Sequence, residues 1–530
     1  MKIIVCIKQL PDGSLNPFDT SALESALRIE DACRQKAQPC EITAVSMGRQ
    51  GMAPLLEELT RLGNIKGVLL SDKDFAGADT LATSKTLATW INKQDYDLIL
   101  CGRQSIDGET AQVGPEIAQM LVIPVKTCVL AVELAAGTEA DENAGTRAET
   151  EANAEAKVRI ICHTRTGTEQ VVLPCVVTME RSNVLRFPSL WAKKKEVLVQ
   201  NREDLGIPVQ ECGLKGSPTR VLESYENTGG QRKCRYIQAD ELTAILEDME
   251  YKSSAKQAEC AKHGQDRQSL QDTQSMGQAE EREGSRGKNA ALAGFRIAPG
   301  EKKLNEIWVT SVELLPIGNI LAEKTTLIPL TKENPEAFLE KVKNDRPTVI
   351  LAPADWESRS LAPRVAAALQ TGLCADCTGL IVENGELHMI RPALAGNRIA
   401  KIRCETVPVM ATVRTAEKSP EELVFAIGKG ALSVKEEIIA CAAKYRGTLA
   451  ASRACVESGG VPYEWQVGLT GRSIAPKIYL AFGISGAIHH IVGMERSGTV
   501  IAVNTDPNAP IFSYADYGII GKAEDVLRVL

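Results

Sequence analysis

Near its carboxyl end the chain reads Val461-Pro-Tyr-Glu-Trp-Gln-Val-Gly-Leu-Thr-Gly-Arg-Ser-Ile-Ala-Pro476, followed by Gly483-Ile-Ser-Gly-Ala-Ile-His-His490. The apolar run 478–482 predicts a strand, the two glycines after it a tight turn, and residues 487–492 a helix. Such a turn directs backbone N–H groups toward an anion, and its glycines let a pyrophosphate approach the main chain. The stretch therefore favours a nucleotide site, although Gly-x-Ser-Gly before a helix is also typical of ordinary close packing.

Further motifs stand in order around this stretch. They are Ala451-Ser-Arg453, Gln466-Val-Gly-Leu-Thr-Gly471, Ala475-Pro-Lys-Ile-Tyr479, Asn504-Thr-Asp-Pro-Asn-Ala-Pro-Ile-Phe512 and Ala515-Asp-Tyr-Gly518. Together they resemble the FAD domain of the electron transfer flavoprotein alpha subunit. The resemblance implies that FAD is bound by Ser452, Arg453, Gln466, Val467, Gly468, Thr470, Ser473, Gly483, Ser485, Gly486, Ala487, His490, Asn504 and Asp506.

Two of these residues are implied to tune the flavin. The resemblance places Arg453 over the flavin ring and His490 near the pyrimidine carbonyl. Plainer alternatives remain open, because Arg453 could form a surface ion pair. Asn504 and Asp506 could bind cofactor hydroxyls or simply form the turn before Pro507.

Composition limits the class of protein. With 530 residues, 44 % hydrophobic and 24 % charged, the chain predicts two to four soluble domains. A net charge of -7 makes nucleic acid an unexpected partner. The first apolar run has five residues and none approaches a membrane span, so we expect a cytoplasmic protein without membrane insertion.

The pattern of cysteines also favours a cytoplasmic protein with reduced thiols. The fifteen cysteines are scattered singly, apart from Cys374-Ala-Asp-Cys377. No second pair and no histidine at ligand spacing accompanies that motif, so we interpret it as two half-buried thiols. We expect no metal site.

The first 130 residues alternate between strand and helix patterns. Strands are predicted at 3–7, 41–46, 67–70 and 97–101, and helices at 20–34, 52–62, 79–91 and 112–121. This alternation predicts an α/β fold with a parallel sheet between layers of helices, whose ligands lie beyond the carboxyl ends of the strands. Polar residues cluster after these strands, although each alone is typical of a helix cap.

These clusters also match a family pattern. Lys8-Gln-Leu-Pro-Asp12, Asn16-Pro-Phe-Asp19, Phe75-Ala-Gly-Ala-Asp79 and the string from Gly102 to Pro115 resemble the electron transfer flavoprotein beta subunit. The resemblance implies a second nucleotide, either AMP as in plain carriers or a second FAD as in bifurcating proteins. It would contact Cys6, Asn16, Asp107, Thr110, Gln112 and Val113.

The chain thus resembles both subunits fused, beta half first. We predict two adenine-nucleotide-binding-like parallel-sheet domains and a carboxyl-terminal Rossmann-like FAD domain. The boundaries are 1–250 with a low-complexity insertion at 135–157, a flexible linker at 251–299, a shortened alpha-type first domain at 300–415, and the FAD domain at 416–530. A linker of this length spans roughly 35–40 Å, so we expect the halves to dock as a pseudo-heterodimer within one chain.

The resemblance implies a carrier that shuttles single electrons, with an acyl-CoA dehydrogenase or another flavin dehydrogenase as partner. Two alternatives stay open: an NADH-oxidising bifurcating flavoprotein with two FADs, and a redox-silent adenine-nucleotide module. Leu469 departs from the glutamine usual in this family, and the segment between Leu190 and Ala192, where the family grips its partner dehydrogenase, is short.

Overall fold

The computed structural model describes residues 1–135, 158–165, 167–189, 191–226, 231–246, 294–393, 396, 398–415, 422–468 and 471–530. These residues form two compact units, and each unit draws on two separate parts of the chain. The first contains Met1–Tyr225 and Phe295–Arg414, and the second contains the described parts of Glu226–Gly294 and Thr415–Leu530. The chain therefore alternates between the units.

The strands, in chain order, are β1 (Lys2–Cys6), β2 (Glu41–Met47), β3 (Ile65–Leu70), β4 (Leu98–Gly102), β5 (Val125–Leu134), β6 (Arg159–Thr164), β7 (Gly167–Val172), β8 (Cys175–Met179), β9 (Leu198–Gln200), β10 (Thr219–Glu226), β11 (Arg235–Tyr236), β12 (Phe295–Ile297), β13 (Leu304–Val309), β14 (Ala322–Leu327), β15 (Val349–Pro353), β16 (Leu373–Cys377), β17 (Gly379–Glu383), β18 (Glu386–Ala393), β19 (Arg398–Cys404), β20 (Val409–Val413), β21 (Leu423–Ile427), β22 (Thr448–Ala451), β23 (Ile478–Phe482), β24 (Thr499–Asn504) and β25 (Tyr517–Ile520).

The α-helices are α1 (Pro17–Gln35), α2 (Ala53–Leu59), α3 (Thr80–Ile91), α4 (Val113–Leu121), α5 (Arg202–Leu205), α6 (Gly213–Gly216), α7 (Leu315–Leu321), α8 (Pro335–Asp345), α9 (Ser358–Leu369), α10 (Lys435–Lys444), α11 (Arg453–Glu457), α12 (Ile488–Met494) and α13 (Ala523–Leu527). The four strands and four helices predicted within the first 130 residues are confirmed, with ends that differ by a few residues.

The first unit contains three sheets. One has the order β7-β6-β5-β8-β4-β1-β2-β3-β9, and a second, wholly parallel sheet has the order β14-β13-β15-β20-β16. The third, β10-β19-β18-β17-β12, joins a strand of the amino-terminal region to strands of the later one. The two regions therefore share main-chain hydrogen bonding.

The parallel core of the first sheet is buried on both faces. Along β1, Ile3 and Val5 pack into a core with residues of α1, such as Leu23. Ile4 and Cys6 pack into the opposite core with residues of α3 and α4. Because side chains alternate between faces along a strand, a continuous apolar run requires helices on both sides. The predicted α/β class is confirmed.

The second unit is built on one parallel sheet, β11-β25-β24-β23-β21-β22. Its edge strand β11 belongs to the segment 231–246, where Ile237, Leu242 and Leu246 enter the core. The division at residue 250 therefore differs from the observed one, because burial of these apolar side chains assigns 231–246 to the second unit. Of the predicted insertion at 135–157 and the predicted linker at 251–299, residues 136–157 and 251–293 lie outside the described residues. The end of the predicted linker is instead strand β12, Phe295–Ile297, which pairs with β17 in the first unit.

Arg232 fixes this segment to the second unit. Its guanidinium donates to the main-chain carbonyls of Glu495, Ser497 and Gly498, and it forms an ion pair with Asp516. Glu495 follows directly on the carboxyl end of α12. One side chain therefore satisfies several acceptors at the end of a helix that carries predicted site residues.

We predict that Arg232→Ala destabilises the second unit by about 2–4 kcal/mol, because several charge-assisted hydrogen bonds are lost together. Thermal unfolding by calorimetry measures the change. Arg235→Ala serves as control, because the Arg235 side chain is 72 % exposed and its ion pair with Glu241 is long, at 3.6 Å. Equal melting temperatures for the two variants would contradict the role assigned to Arg232.

Candidate functional site

The predicted strand, turn and helix are present in the second unit. Strand β23 ends at Phe482, and α12 begins at Ile488. Between them Gly483 and Gly486 have φ angles of +60° and +87°, which favour glycine. A Cβ on Gly486 would stand 2.1 Å from the nitrogen of Ile511. The turn therefore needs glycine for close backbone packing, while Ser485 and Ala487 remain exposed in it.

A second glycine loop packs onto α12. Gly468 has φ +139°, and a Cβ there would lie 2.5 Å from the carbonyl oxygen of His489. Gln466 and Val467 are buried just before it, and Ser473 is half-buried after it. The structure thus brings the loop at 466–473 and the helix at 488–494 together. Leu469 and Thr470 lie outside the described residues, so the role of Thr470 stays a prediction.

His490 is buried between these elements. Its Nδ1 lies 3.1 Å from the carbonyl oxygen of Val467, and its Nε2 lies 2.8 Å from the hydroxyl of Tyr479. Since a carbonyl can only accept, Nδ1 carries the proton and Nε2 accepts from Tyr479. Burial lowers the pKa of His490 to about 4. The ring is therefore neutral at pH 7, with both nitrogens engaged, and donation to a flavin carbonyl would need the other tautomer.

Arg453 and Ser452 follow strand β22. Arg453 donates from Nε to Glu457 at 2.7 Å, which is the ion pair considered as its plainer role. The hydroxyl of Ser452 is buried, and the thiol of Cys455 is a neighbouring polar group. Ligand binding by Ser452 and the position of Arg453 over a flavin stay predictions.

Asn504 and Asp506 form the turn after β24. Asn504 donates from Nδ2 to the carbonyl of Ile484 at 2.9 Å and accepts from the nitrogen of Asp506 at 3.0 Å. Asp506 in turn accepts from the nitrogen of Asn508. Both residues thus form the turn that was the alternative to ligand binding. Through its hydrogen bond to Ile484, Asn504 also links this turn to the glycine turn at 483–486. Hydroxyl binding by either residue stays a prediction.

An open cleft adjoins this edge of the sheet. It has a volume of about 540 Å³ and is lined by Thr505, Ile520, Gly521, Lys522, Glu524, Asp525 and Arg528. Ser452 and Gly483 follow strands β22 and β23, Asn504 ends β24, and parallel strands end at one edge. These three predicted cofactor residues therefore lie at the edge where ligands bind in such sheets, while the cleft itself is lined by other residues. The glycines of both loops pack against main-chain atoms of this unit, so dinucleotide binding at this edge stays a prediction.

The second predicted site lies at the corresponding edge of the first unit. Cys6 ends β1, and burial raises the pKa of its thiol to about 12. Asn16 is 1 % exposed and donates from Nδ2 to the carbonyl of Gln104 at 2.9 Å. Its Oδ1 has no hydrogen-bond partner in the described part of the chain. A buried acceptor of this kind fits a ligand that donates a hydrogen bond.

Lys8 holds the loop after β4. Its Nζ lies 2.8 Å from both carboxylate oxygens of Asp107 and 3.2 Å from the hydroxyl of Ser105. Burial opposes ionisation of Asp107, but these hydrogen bonds outweigh it and hold the pKa below its usual value. Glu109 and Ala111 adopt positive φ angles on either side of the half-buried Thr110. The loop is therefore preformed up to Val113, where α4 begins.

The side chain of Gln112 is held by hydrogen bonds within the chain. Its Oε1 accepts from the hydroxyl of Thr80 at 2.6 Å, and its Nε2 donates to the carbonyl of Leu373 at 3.0 Å. The side chain is 1 % exposed. It joins the amino-terminal region to strand β16, and contact of Gln112 with a nucleotide stays a prediction.

Sequence reasoning assigned no role to Asp19. Its carboxylate accepts from the main-chain nitrogens of Lys8 at 2.8 Å and Gly102 at 3.0 Å. Burial raises its pKa to about 7. A Cβ on Gly102 would stand 2.2 Å from Asp19 Oδ1, so the carboxylate fits only against glycine. The signal was present in the Asn-Pro-Phe-Asp motif, but a helix-cap reading explained it equally well.

A buried cluster of charges from the later region also reaches this loop. Arg391 donates to the carbonyl of Gly108 at 2.9 Å, and Asp376 pairs with Arg359 at 2.9 Å and Arg414 at 3.1 Å. Burial opposes the ionisation of Asp376, but the arginines outweigh it and keep its pKa below its usual value. Only tertiary contacts bring these residues together.

Other expected features can be compared directly. The cysteines that the structure describes are unbridged, and Cys374 and Cys377 are buried rather than half-buried. Within the described ranges no group of three or more His, Cys, Asp or Glu side chains could hold a metal ion. None of the helices described is both long and apolar enough to cross a membrane.

We predict that the imidazole of His490 makes the stability of the chain pH-dependent. The folded pKa of about 4 lies below the usual 6.5, so the unfolded chain binds the proton first and stability is lost as pH falls from 6.5 toward 4. The slope is about 1.4 kcal/mol per pH unit. Melting temperatures of His490→Gln should lack this component, whereas the neighbouring His489→Gln should retain it. A retained slope in His490→Gln would refute the assignment.

Comparison with known proteins agrees with this geometry. Residues 3–204 and 321–440 match the electron transfer flavoprotein domain, and residues 419–495 match the electron transfer flavoprotein FAD-binding domain. The alpha subunit of the electron transfer flavoprotein of Thermoanaerobacterium thermosaccharolyticum is 39 % identical over 241 residues, which cover 37 % of this chain and 73 % of the relative. The beta subunit from the same organism is 38 % identical over 247 residues, or 42 % of this chain and 86 % of the relative.

A third relative carries a more specific name. Lactate dehydrogenase (NAD(+),ferredoxin) subunit LctC of Acetobacterium woodii is 38 % identical over 240 residues, or 37 % of this chain and 57 % of the relative. Beta-type similarity precedes alpha-type similarity in one polypeptide. The chain belongs to the electron transfer flavoprotein family, as a fusion of its beta and alpha subunits.

Proposed function

We propose that this protein is a cytoplasmic electron carrier that binds FAD in its second unit. It would exchange single electrons between a flavin dehydrogenase, in the first place an acyl-CoA dehydrogenase, and a further acceptor. One observation carries the proposal: the match to an FAD-binding domain spans residues 419–495, which include the two glycine loops and His490. FAD supplies the redox chemistry when it is bound, because its ring accepts electrons one at a time.

The chain's own residues would bind and orient that group. Ser452 offers a buried hydroxyl, the turn at 483–486 offers main-chain N–H groups, and Ser473 and Ser485 offer exposed or half-exposed hydroxyls. Arg453 would supply positive charge near the flavin, in exchange for its ion pair with Glu457. His490 would act as a neutral group, since burial depresses its pKa.

We further propose that the first unit binds a second adenine nucleotide, with AMP as the expected occupant in a plain carrier. The buried Oδ1 of Asn16 supports this, because it lacks a partner among the described residues and suits a donor such as an amino group. Cys6, Asp107, Thr110 and Val113 lie at the same edge of the sheet. The two halves would act as a pseudo-heterodimer, joined inside the first unit by contacts such as Gln112 with Leu373.

A second candidate is an NADH-oxidising bifurcating flavoprotein with two FADs. The similarity to a relative whose name includes NAD(+) and ferredoxin favours it. The string Arg103-Gln-Ser-Ile-Asp-Gly108, which resembles the bifurcating type, also supports it. The number of flavins per chain separates the two candidates.

We propose that a short segment with two exposed aromatic side chains contacts the partner dehydrogenase. Phe187 is 95 % exposed and Trp191 is 92 % exposed. The segment is anchored to α1, because the adjacent Arg186 pairs with two residues of that helix, Glu24 at 3.0 Å and Asp31 at 2.7 Å. Exposed aromatic side chains on an anchored backbone are typical of interaction sites. We therefore place the dehydrogenase contact here, next to the short segment before Ala192.

We predict a flavin spectrum for the purified chain, with one FAD and one AMP per polypeptide after acid release and quantitation by chromatography. Two FADs would support the bifurcating candidate, and reduction by NADH would then be measured. Absence of flavin after reconstitution with excess FAD would reject both candidates and leave an adenine-nucleotide module.

We also predict that Phe187→Ala combined with Trp191→Ala slows electron transfer from an acyl-CoA dehydrogenase at least about tenfold, through a higher KM, because aromatic anchors dominate such contacts. Val312→Ala, at a side chain that is 64 % exposed elsewhere in the first unit, is the control. An unchanged KM in the double variant, with flavin content intact, would move the partner surface elsewhere.

A further inference from the structure

We infer that Asp19 is a positioning residue for the second nucleotide: it clamps the chain after β1 to the chain after β4 and so holds the residues that would bind the nucleotide. This inference rests on the second nucleotide site proposed above. Asp19 would act through the main chain, without touching the ligand.

The clamp is defined by geometry. Strands β1 and β4 are parallel neighbours in the sheet. Beyond them, one oxygen of the Asp19 carboxylate accepts from Lys8 N and the other from Gly102 N, at 2.8 Å and 3.0 Å. The carboxylate is 5 % exposed, so water does not replace these bonds readily. Both oxygens are needed, since each serves a different loop.

Two further links cross between the same loops. Asn16 donates to the carbonyl of Gln104, and Lys8 Nζ binds Asp107. Asn16 occupies the position just before α1 without a side-chain capping hydrogen bond, and Asp19 lies in the first turn of that helix. If the carboxylate is lost, Lys8 N and Gly102 N are left without acceptors, and the two loops can separate. The unpaired Oδ1 of Asn16 and the carboxylate of Asp107 would then lose their fixed separation.

The clamp should also respond to pH. Burial raises the pKa of Asp19 to about 7. The hydroxyl oxygen of a protonated carboxyl becomes a donor and is a poorer acceptor than a carboxylate oxygen, so protonation weakens one of the two anchors. The titratable or charged groups that interact with the carboxyl are Cys6, Lys8 and Cys101. Beyond them, Asp107 pairs with Lys8, and Arg103, which lies over the Phe18 ring, pairs with Glu180. Burial keeps both thiols protonated near neutral pH, and Asp107 stays ionised, so Asp19 is the group expected to titrate there.

The test measures the dissociation constant of AMP for the full chain by calorimetry at pH 6 and pH 8, together with nucleotide retained per chain. At pH 8 we expect Asp19→Asn to weaken AMP binding about tenfold, because the asparagine oxygen can accept from one main-chain N–H but its NH2 group cannot accept from the other. At pH 6 the ratio of the AMP dissociation constant of the variant to that of the unsubstituted chain should fall toward one. Titration of AMP itself affects both proteins equally and cancels in this ratio.

Glu30→Gln is the matched control. Glu30 lies on the same helix, is also 5 % exposed, and also accepts from a main-chain nitrogen, that of Asn64, which precedes β3 at the opposite edge of the sheet. It should lower the melting temperature without changing the AMP ratio. The positioning role would be overturned if both variants weakened AMP binding equally. It would also be overturned if the ratio of dissociation constants for Asp19→Asn did not change with pH.

The outcomes also separate the inference from the function on which it rests. If the unsubstituted chain takes up AMP and Asp19→Asn binds it equally well, only the clamp is refuted. If the unsubstituted chain neither binds AMP nor releases a second nucleotide, the second site is refuted and the clamp falls with it.

Discussion

Parallel pairing of strands is the constraint on which the rest of this structure depends. In both units the central strands are buried on both faces, so their side chains are committed to packing. Polar groups are therefore confined to the loops at the strand ends, and the carboxyl ends of parallel strands meet at one edge. For this reason, residues far apart in sequence, such as Ser452, Gly483 and Asn504, lie at the same edge of the sheet.

The interleaving of the chain follows from burial rather than from sequence order. Residues 231–246 contribute Ile237, Leu242 and Leu246 to the core of the second unit, and Arg232 satisfies carbonyls at the end of α12. Residues 295–414 complete the first unit instead. A fused chain of this kind keeps both contributions to each unit at high effective concentration. Fusion therefore fits the way in which each unit is assembled from two regions.

Electrostatics at the two candidate sites are set by burial acting in opposite directions. His490 is kept neutral, since an imidazolium between Tyr479 and Val467 would be desolvated without an anionic partner. Asp19 gains two main-chain donors, yet burial still raises its pKa. Asp376 remains ionised because arginines surround it. Desolvation thus favours the neutral forms of His490 and Asp19, and Asp376 stays an anion because the nearby arginines outweigh its burial.

The sequence alone determined the α/β class, the order of the elements and the family. Strand and helix patterns depend on local spacing of apolar residues, and motifs such as Gly483-Ile-Ser-Gly486 are local as well. Tertiary structure alone decided which groups meet. It turned Gln112 toward Leu373, made Asn504 part of a turn, paired Arg453 with Glu457 and placed Asp19 between two loops. Hydrogen-bond partners and desolvation are fixed by residues distant in the chain, and no local pattern of apolar and polar residues records them.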